Sequence, residues 1–177
     1  NASKMLKLQL KEQVAPAMDK VYFAKVAATA AATSQTKVMT AATAYDVVTE
    51  LAEMLDEAEA PQANRTLFVT PTAYRHIKKN ITTNINASKT NDKLLTKGFV
   101  GELDSFEVVK VPSKYFPANV AMLAVWEGAI ANAPIIDEAR IKSDSENISG
   151  DLLIGRNKFD TFILDAKKMT IASATTA

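Results

Sequence analysis

The residues of this chain that could do chemistry are scattered carboxylates, one histidine and a short basic run. Asp56 stands beside Glu57, and Asp137 beside Glu138. Sequence neighbours project to different sides of a helix or strand, so neither pair suits acid and base work on one substrate. His76 is the single histidine, flanked by Arg75 and Lys78. With no second ligand at a spacing such as His-Glu-x-x-His, a structural role is expected for it. Arg75, His76, Lys78 and Lys79 could form a small phosphate patch, although four such residues on one helix are more often a solvated face. Gly98-Phe-Val-Gly101 lacks the third glycine and the Lys-Ser/Thr of a phosphate loop, and there is no Gly-x-Ser-x-Gly elbow. No catalytic, cofactor-binding or metal-binding residue is therefore expected, and the chain is expected not to be an enzyme. Carboxylates that converge only in the fold remain the alternative.

Composition narrows the class further. The 177 residues are enough for one domain or two small lobes around an ordinary core. A formal charge of +1 argues against a nucleic-acid binder that works through a basic surface. The absence of cysteine excludes a disulfide scaffold, a thiolate zinc site and a cysteine nucleophile. No apolar run has the length of a membrane span and no signal peptide is visible, so a cytosolic product is expected. Asn-x-Ser/Thr sequons at Asn1, Asn64, Asn80, Asn86 and Asn147 are then chance matches. The opening Asn1-Ala-Ser is not an initiator, and further residues are expected upstream.

The elements that would position these residues centre on Thr43 to Asn80. Val47, Leu51, Met54, Leu55 and Ala58 recur three and four apart, which predicts an amphipathic helix. Its other faces carry Asp46, Glu50, Glu53, Asp56, Glu57 and Glu59 with no base among them. Pro61 ends it, Arg65 to Thr70 reads as a short strand, and Thr70-Pro71 marks a capped helix start running to about Asn80. Upstream, residues 4 to 33 read as helix, interrupted or restarted at Pro16 and Ala-rich thereafter. Such a helix buries little by itself and needs a neighbour from this chain or from another copy. Thr33 to Thr40 reads as a polar linker. Residues 1 to 37 carry Lys4, Lys7, Lys11, Lys20, Lys25 and Lys37 against Glu12 and Asp19. The basic and acidic helices are either two solvated faces or complementary patches that meet between subunits.

Downstream, Thr82 to Lys97 reads as a mobile loop and Gly98 to Pro112 as β structure turning at Asp104-Ser105. Pro112 and Pro117 bracket a loop expected to expose Tyr115 and Phe116. Val120 to Val125 is a continuous apolar run, hence a central strand buried on both faces. A short helical turn is expected through Ala129 to Asn132, then extended chain from Ala133 to Lys142. Asp144 to Gly150 reads as a polar loop and Gly155 to Asp165 as a strand. β content is expected to end at Lys168 to Ala172, with Ser173 to Ala177 frayed.

The order of certain words resembles the major capsid proteins of tailed bacteriophages. They are Gln13-Val-Ala-Pro16-Ala-Met-Asp19-Lys-Val-Tyr22 and Asn64-Arg65-Thr-Leu-Phe-Val-Thr70-Pro71, then Gly98-Phe99-Val-Gly101 with Phe106-Glu-Val-Val-Lys-Val-Pro112, then Gly155-Arg156-Asn-Lys-Phe159-Asp160. The match runs from about Gln9 to Ile171. The resemblance implies an α+β phage-capsid fold with a long spine helix, a central β-sheet flanked by helices, and long strands lying against the spine. It divides the chain into a peripheral domain, residues 1–38 and 136–177, and an axial domain, residues 39–135. It implies a structural protein that assembles with copies of itself into hexamers and pentamers of an icosahedral head enclosing DNA. Scaffolding or decoration proteins are implied as further partners, with at most weak, sequence-independent DNA contact on the inner face and no membrane. The family's N-terminal arm and extended hairpin loop are not in this sequence, and a core lacking them is expected to be monomeric. The loops Thr82 to Lys97 and Ser113 to Asn119 would gather at the capsomer axis. An encapsulin-like shell protein and a small α/β ligand-binding or enzymatic domain are the alternatives; a flat wedge without a deep pocket is expected of a capsid protein.

Overall fold

The computed structural model of the chain describes residues 2–84, 102–142 and 152–176. It begins with one long helix made of α1 (Ala2–Gln9), a π-helical turn (Leu10–Val14) and α2 (Ala15–Ala32). The π turn lies just ahead of Pro16, whose ring crowds the preceding turn and which offers no N–H. The Ala15 N–H reaches back to the Leu10 carbonyl, and this wider turn lets the helix pass the proline without breaking. At a rise of ~1.5 Å per residue the whole rod is about 46 Å long. It ends where Ser34 turns left-handed at φ 59°, with the Gln35 N–H bonded to the Ala30 carbonyl at 2.9 Å.

The expected linker after it is a strand. β1 (Thr36–Met39) forms one edge of a six-stranded mixed sheet of order β1-β8-β5-β2-β4-β3. The other members are β2 (Arg65–Val69), β3 (Glu102–Leu103), β4 (Phe106–Lys110), β5 (Val120–Trp126) and β8 (Ile171–Thr176). The tail expected to fray is thus an interior strand. β8 runs parallel to β1 and antiparallel to β5. Its Ala172, Ser173 and Ala174 read as a tail because they are small, and small side chains are what fit between two helical layers. Ser173 is buried, meets the Thr36 hydroxyl at 2.9 Å and donates its N–H to the Gln35 carbonyl at 2.8 Å.

α3 (Ala44–Glu57) and α4 (Pro71–Asn84) cover one face of the sheet, and α2 covers the other. β5 shows the division residue by residue: Met122 and Ala124 face the α3 side, Leu123 and Val125 the α2 side. Both faces are apolar, as expected for a central strand. α3 buries Val47, Val48, Leu51, Ala52 and Leu55. Thr70 caps α4, accepting the Ala73 N–H on its hydroxyl at 3.3 Å and the Tyr74 N–H on its carbonyl at 2.9 Å. α4 extends to Asn84 and takes in the first residues of the expected loop; residues 85–101, like the polar loop at 143–151, lie outside the described residues.

The turn between β3 and β4 falls at Asp104 and Ser105, as expected, with both in the left-handed region at φ 49° and 68°. That is the geometry of a two-residue hairpin, normally supplied by Asn-Gly. After β5 a short 3-10 turn (Glu127–Ala129) leads directly into β6 (Ile130–Lys142), so Ile130 to Asn132 are strand where a helical turn was expected. β6 pairs antiparallel with β7 (Leu152–Ile163), with a shift between Pro134 and Ile136. At ~3.3 Å per residue this two-stranded ribbon is about 40 Å long. A further 3-10 turn (Asp165–Thr170) links β7 to β8.

Candidate functional site

The spine helix is held to the body at two places. One is aromatic. Phe23 stacks on Phe116 at 4.9 Å between centroids and meets Phe68 edge-on at 5.2 Å, while Tyr22 meets Phe23 and Phe68 edge-on. Phe116 is buried, contrary to the exposed loop expected for it, because the Ser113–Tyr115 3-10 turn folds the segment back onto α2. Tyr115 is half-buried beside it. The other place is polar. The Lys25 ammonium pairs with the Asp160 carboxylate and donates to the Thr161 carbonyl at 3.0 Å, fixing α2 along β7.

Between α2, the base of the β6–β7 ribbon and strands β2 and β5 lies a cleft of about 520 Å³. A flat wedge without a deep pocket was expected of the whole chain; this cleft lies where the ribbon leaves the sheet at Ile130 beside the helix. Its lining includes Asp19, Tyr22, Glu127, Asn132, Asp160 and Thr161 among apolar side chains. Burial pushes the Asp19 carboxyl up from its ordinary value. Burial, then the Glu127 charge, push the Tyr22 phenol up to about 12, so it stays protonated. Asp160 is held below the ordinary carboxylate value by the hydrogen bond from Lys25 and the Thr161 N–H. The remaining polar groups are tied to each other: the Thr161 hydroxyl donates to Asn132 Oδ1 at 3.0 Å, and the Thr66 hydroxyl reaches Glu127 at 3.4 Å. These contacts brace the cleft walls. His76 is on α4 and is not among the lining residues. Among the described residues no group of three His, Cys, Asp or Glu side chains could hold a metal ion.

The acidic residues of α3 are divided by role. Asp56 accepts from Arg65 Nη2 at 2.6 Å, and Glu50 pairs with Lys37 at 3.1 Å. Glu53 and Glu57 have no ion pair among the described residues and rim a second depression, of about 440 Å³, floored by Met54, Ala58 and Met169. The neighbours Asp56 and Glu57 do point apart, as the spacing predicts. The side chains of Asp137 and Glu138 lie outside the described residues. On α4 Arg75 and Lys79 are exposed, while His76 and Lys78 are half-buried, so the basic run is not one uniform solvated face. Neither depression is legible in the sequence, since each takes residues from three or more separate segments of the chain.

No family model and no curated protein matches the chain. Solved structures do. A chain from Mycobacterium phage Che8 is 14% identical, with a TM-score of 0.61, over 79% of this chain and 53% of that one. A chain from the capsid structure of the cyanophage P-SCSP1u is 14% identical, with a TM-score of 0.58, over 75% of this chain and 46% of that one. This chain spans about half the length of the two solved chains it matches. With these likenesses in backbone course, at TM-scores of 0.61 and 0.58, the chain has the phage-capsid fold.

Proposed function

We propose that this chain is the core of a major capsid protein of a tailed phage or prophage, assembling through copies of itself into the hexamers and pentamers of an icosahedral head that encloses DNA. The observation that carries this reading is the likeness to a chain of the P-SCSP1u capsid structure. The chain's own physics supports it: a spine about 46 Å long, with none of its described residues ahead of Tyr22 in either hydrophobic core, is a poor investment for a monomer and a natural one for a shell. A structural, non-enzymatic role follows, located in the virion capsid after assembly in the bacterial cytoplasm. Further partners under this reading would be scaffolding or decoration proteins, with at most weak, non-specific DNA contact on the inner face.

The proposed division is a peripheral domain of residues 1–38 and 136–177 and an axial domain of residues 39–135. β1 and β8 are then the seam, where both peripheral segments enter the axial sheet side by side.

Negative-stain microscopy of the gene product, expressed alone and with its neighbouring genes, tests the reading. Closed shells of uniform diameter are expected. A dispersed protein under every condition, with any upstream residues restored, overturns it.

A further inference from the structure

Resting on that reading, we propose that the N-terminal end of the spine helix docks into the acidic groove of α3 on a second copy of this chain. Two unsatisfied surfaces carry the inference. On α1, Met5 and Leu8 are 65% and 54% exposed, and no described residue of Ala2–Val14 belongs to either hydrophobic core. Lys4, Leu8 and Lys11 recur at helical spacing on one face, with Met5 at its edge, and both lysines are exposed and without an ion pair among the described residues.

On α3, Glu53, Met54, Glu57 and Ala58 share one face by the same spacing. Met54, Ala58 and Met169 give the groove an apolar floor, and Met169 is 47% exposed within it. Lys37 and Glu50 also line it but neutralise each other in an ion pair, so Glu53 and Glu57, without an ion pair among the described residues, leave the groove negative. A groove of about 440 Å³ takes side chains of the size of Leu8 and Met5, and methionines on both sides adapt to an imperfect fit. The charges of the two faces are opposite in sign, which favours their meeting over like-charged alternatives. The contact is heterologous, helix end to groove, so each copy offers one of each surface and a ring can close.

Because the chain contains no cysteine, single thiols report the contact cleanly. The Leu8→Cys chain is mixed with the Ala58→Cys chain and mildly oxidised. The mixed disulfide dimer is expected about fivefold above either self-dimer, with reversal of two rim charges (Glu53→Lys with Glu57→Lys) lowering its yield by a similar factor and Lys4→Glu with Lys11→Glu on the other chain restoring it. A mixed dimer at its statistical share, or one indifferent to charge reversal, overturns the proposal. So does a groove that is shielded in assembled particles while the thiol at position 8 stays open to reagent, which would assign it another occupant. Microscopy of the same samples separates the two readings: shells with a statistical mixed dimer reject this contact alone, and a specific mixed dimer without shells rejects the capsid reading alone.

Discussion

The ring of Phe116 lies flat against that of Phe23, with centroids 4.9 Å apart and planes 11° from parallel. The pair joins the loop after β4 to the middle of the spine helix, and both rings are buried. It is the apolar half of the attachment whose polar half is Lys25 with Asp160.

Phe116→Ala opens a cavity beside Phe23, Val111 and Leu123 in the smaller core. A loss of about 3–4 kcal/mol in unfolding free energy is expected from urea denaturation. Phe116→Leu, which keeps most of the volume, is expected to lose less than half of that.

Arg65 is 2% exposed and clamps the end of α3, donating Nε to the Pro61 carbonyl at 2.9 Å and Nη2 to the Ala60 carbonyl at 2.5 Å. Its ion-pair partner Asp56 has a half-exposed side chain. The two sides of the pair are therefore unequal. Arg65→Ala leaves two inward-facing carbonyls without their donor and is expected to cost about 2–4 kcal/mol. Asp56→Ala leaves the guanidinium still bonded to both carbonyls and is expected to cost about 1 kcal/mol. Equal losses in chemical denaturation would contradict this account.

A Cβ at Gly128 would sit 2.4 Å from the Trp126 ring. Gly128→Ala must displace that ring from its place near Lys167 and is expected to destabilise by about 1–3 kcal/mol. Trp126 is the one tryptophan, so its fluorescence reports the displacement directly.

Two groups give pH signatures of opposite kind. The Tyr22 phenol is raised from 10.0 to about 12, so it stabilises the fold fully below pH 10.0 and that contribution is lost as pH rises toward about 12. Tyr22→Phe is expected to flatten the stability profile in that window. Asp160 is lowered from 3.8, so its contribution is present above 3.8 and is lost as pH falls through its folded value. Asp160→Asn is expected to flatten the acid limb alone, read from denaturation midpoints against pH.

The elements with a strong local signal were legible in the sequence. Val47, Leu51 and Leu55 of the α3 stripe, the Thr70 cap, the apolar run of β5 and the turn at Asp104-Ser105 all lie where spacing and turn chemistry place them, whereas Met54 and Ala58 of that stripe line the open groove. What escaped is set by tertiary contact. β1 and β8 are short and polar or small-residue strands that exist because they pair with each other, Thr36 against Ser173. Phe116 looked like a loop residue because only the folding of that loop onto Phe23 buries it. The two depressions were illegible for the same reason, being made by the way the ribbon and the helices stand on the sheet.

β8 has a further consequence for how the chain can be made. It separates β1 from β5, yet it is formed by residues 171–176. During synthesis residues 36–39 must wait until residues 171–176 have left the ribosome, because β8 is their ladder partner among the described residues. Closure of the sheet is thus a late, long-range event. Premature termination before residue 171 leaves an open edge on β5, a ready template for aggregation.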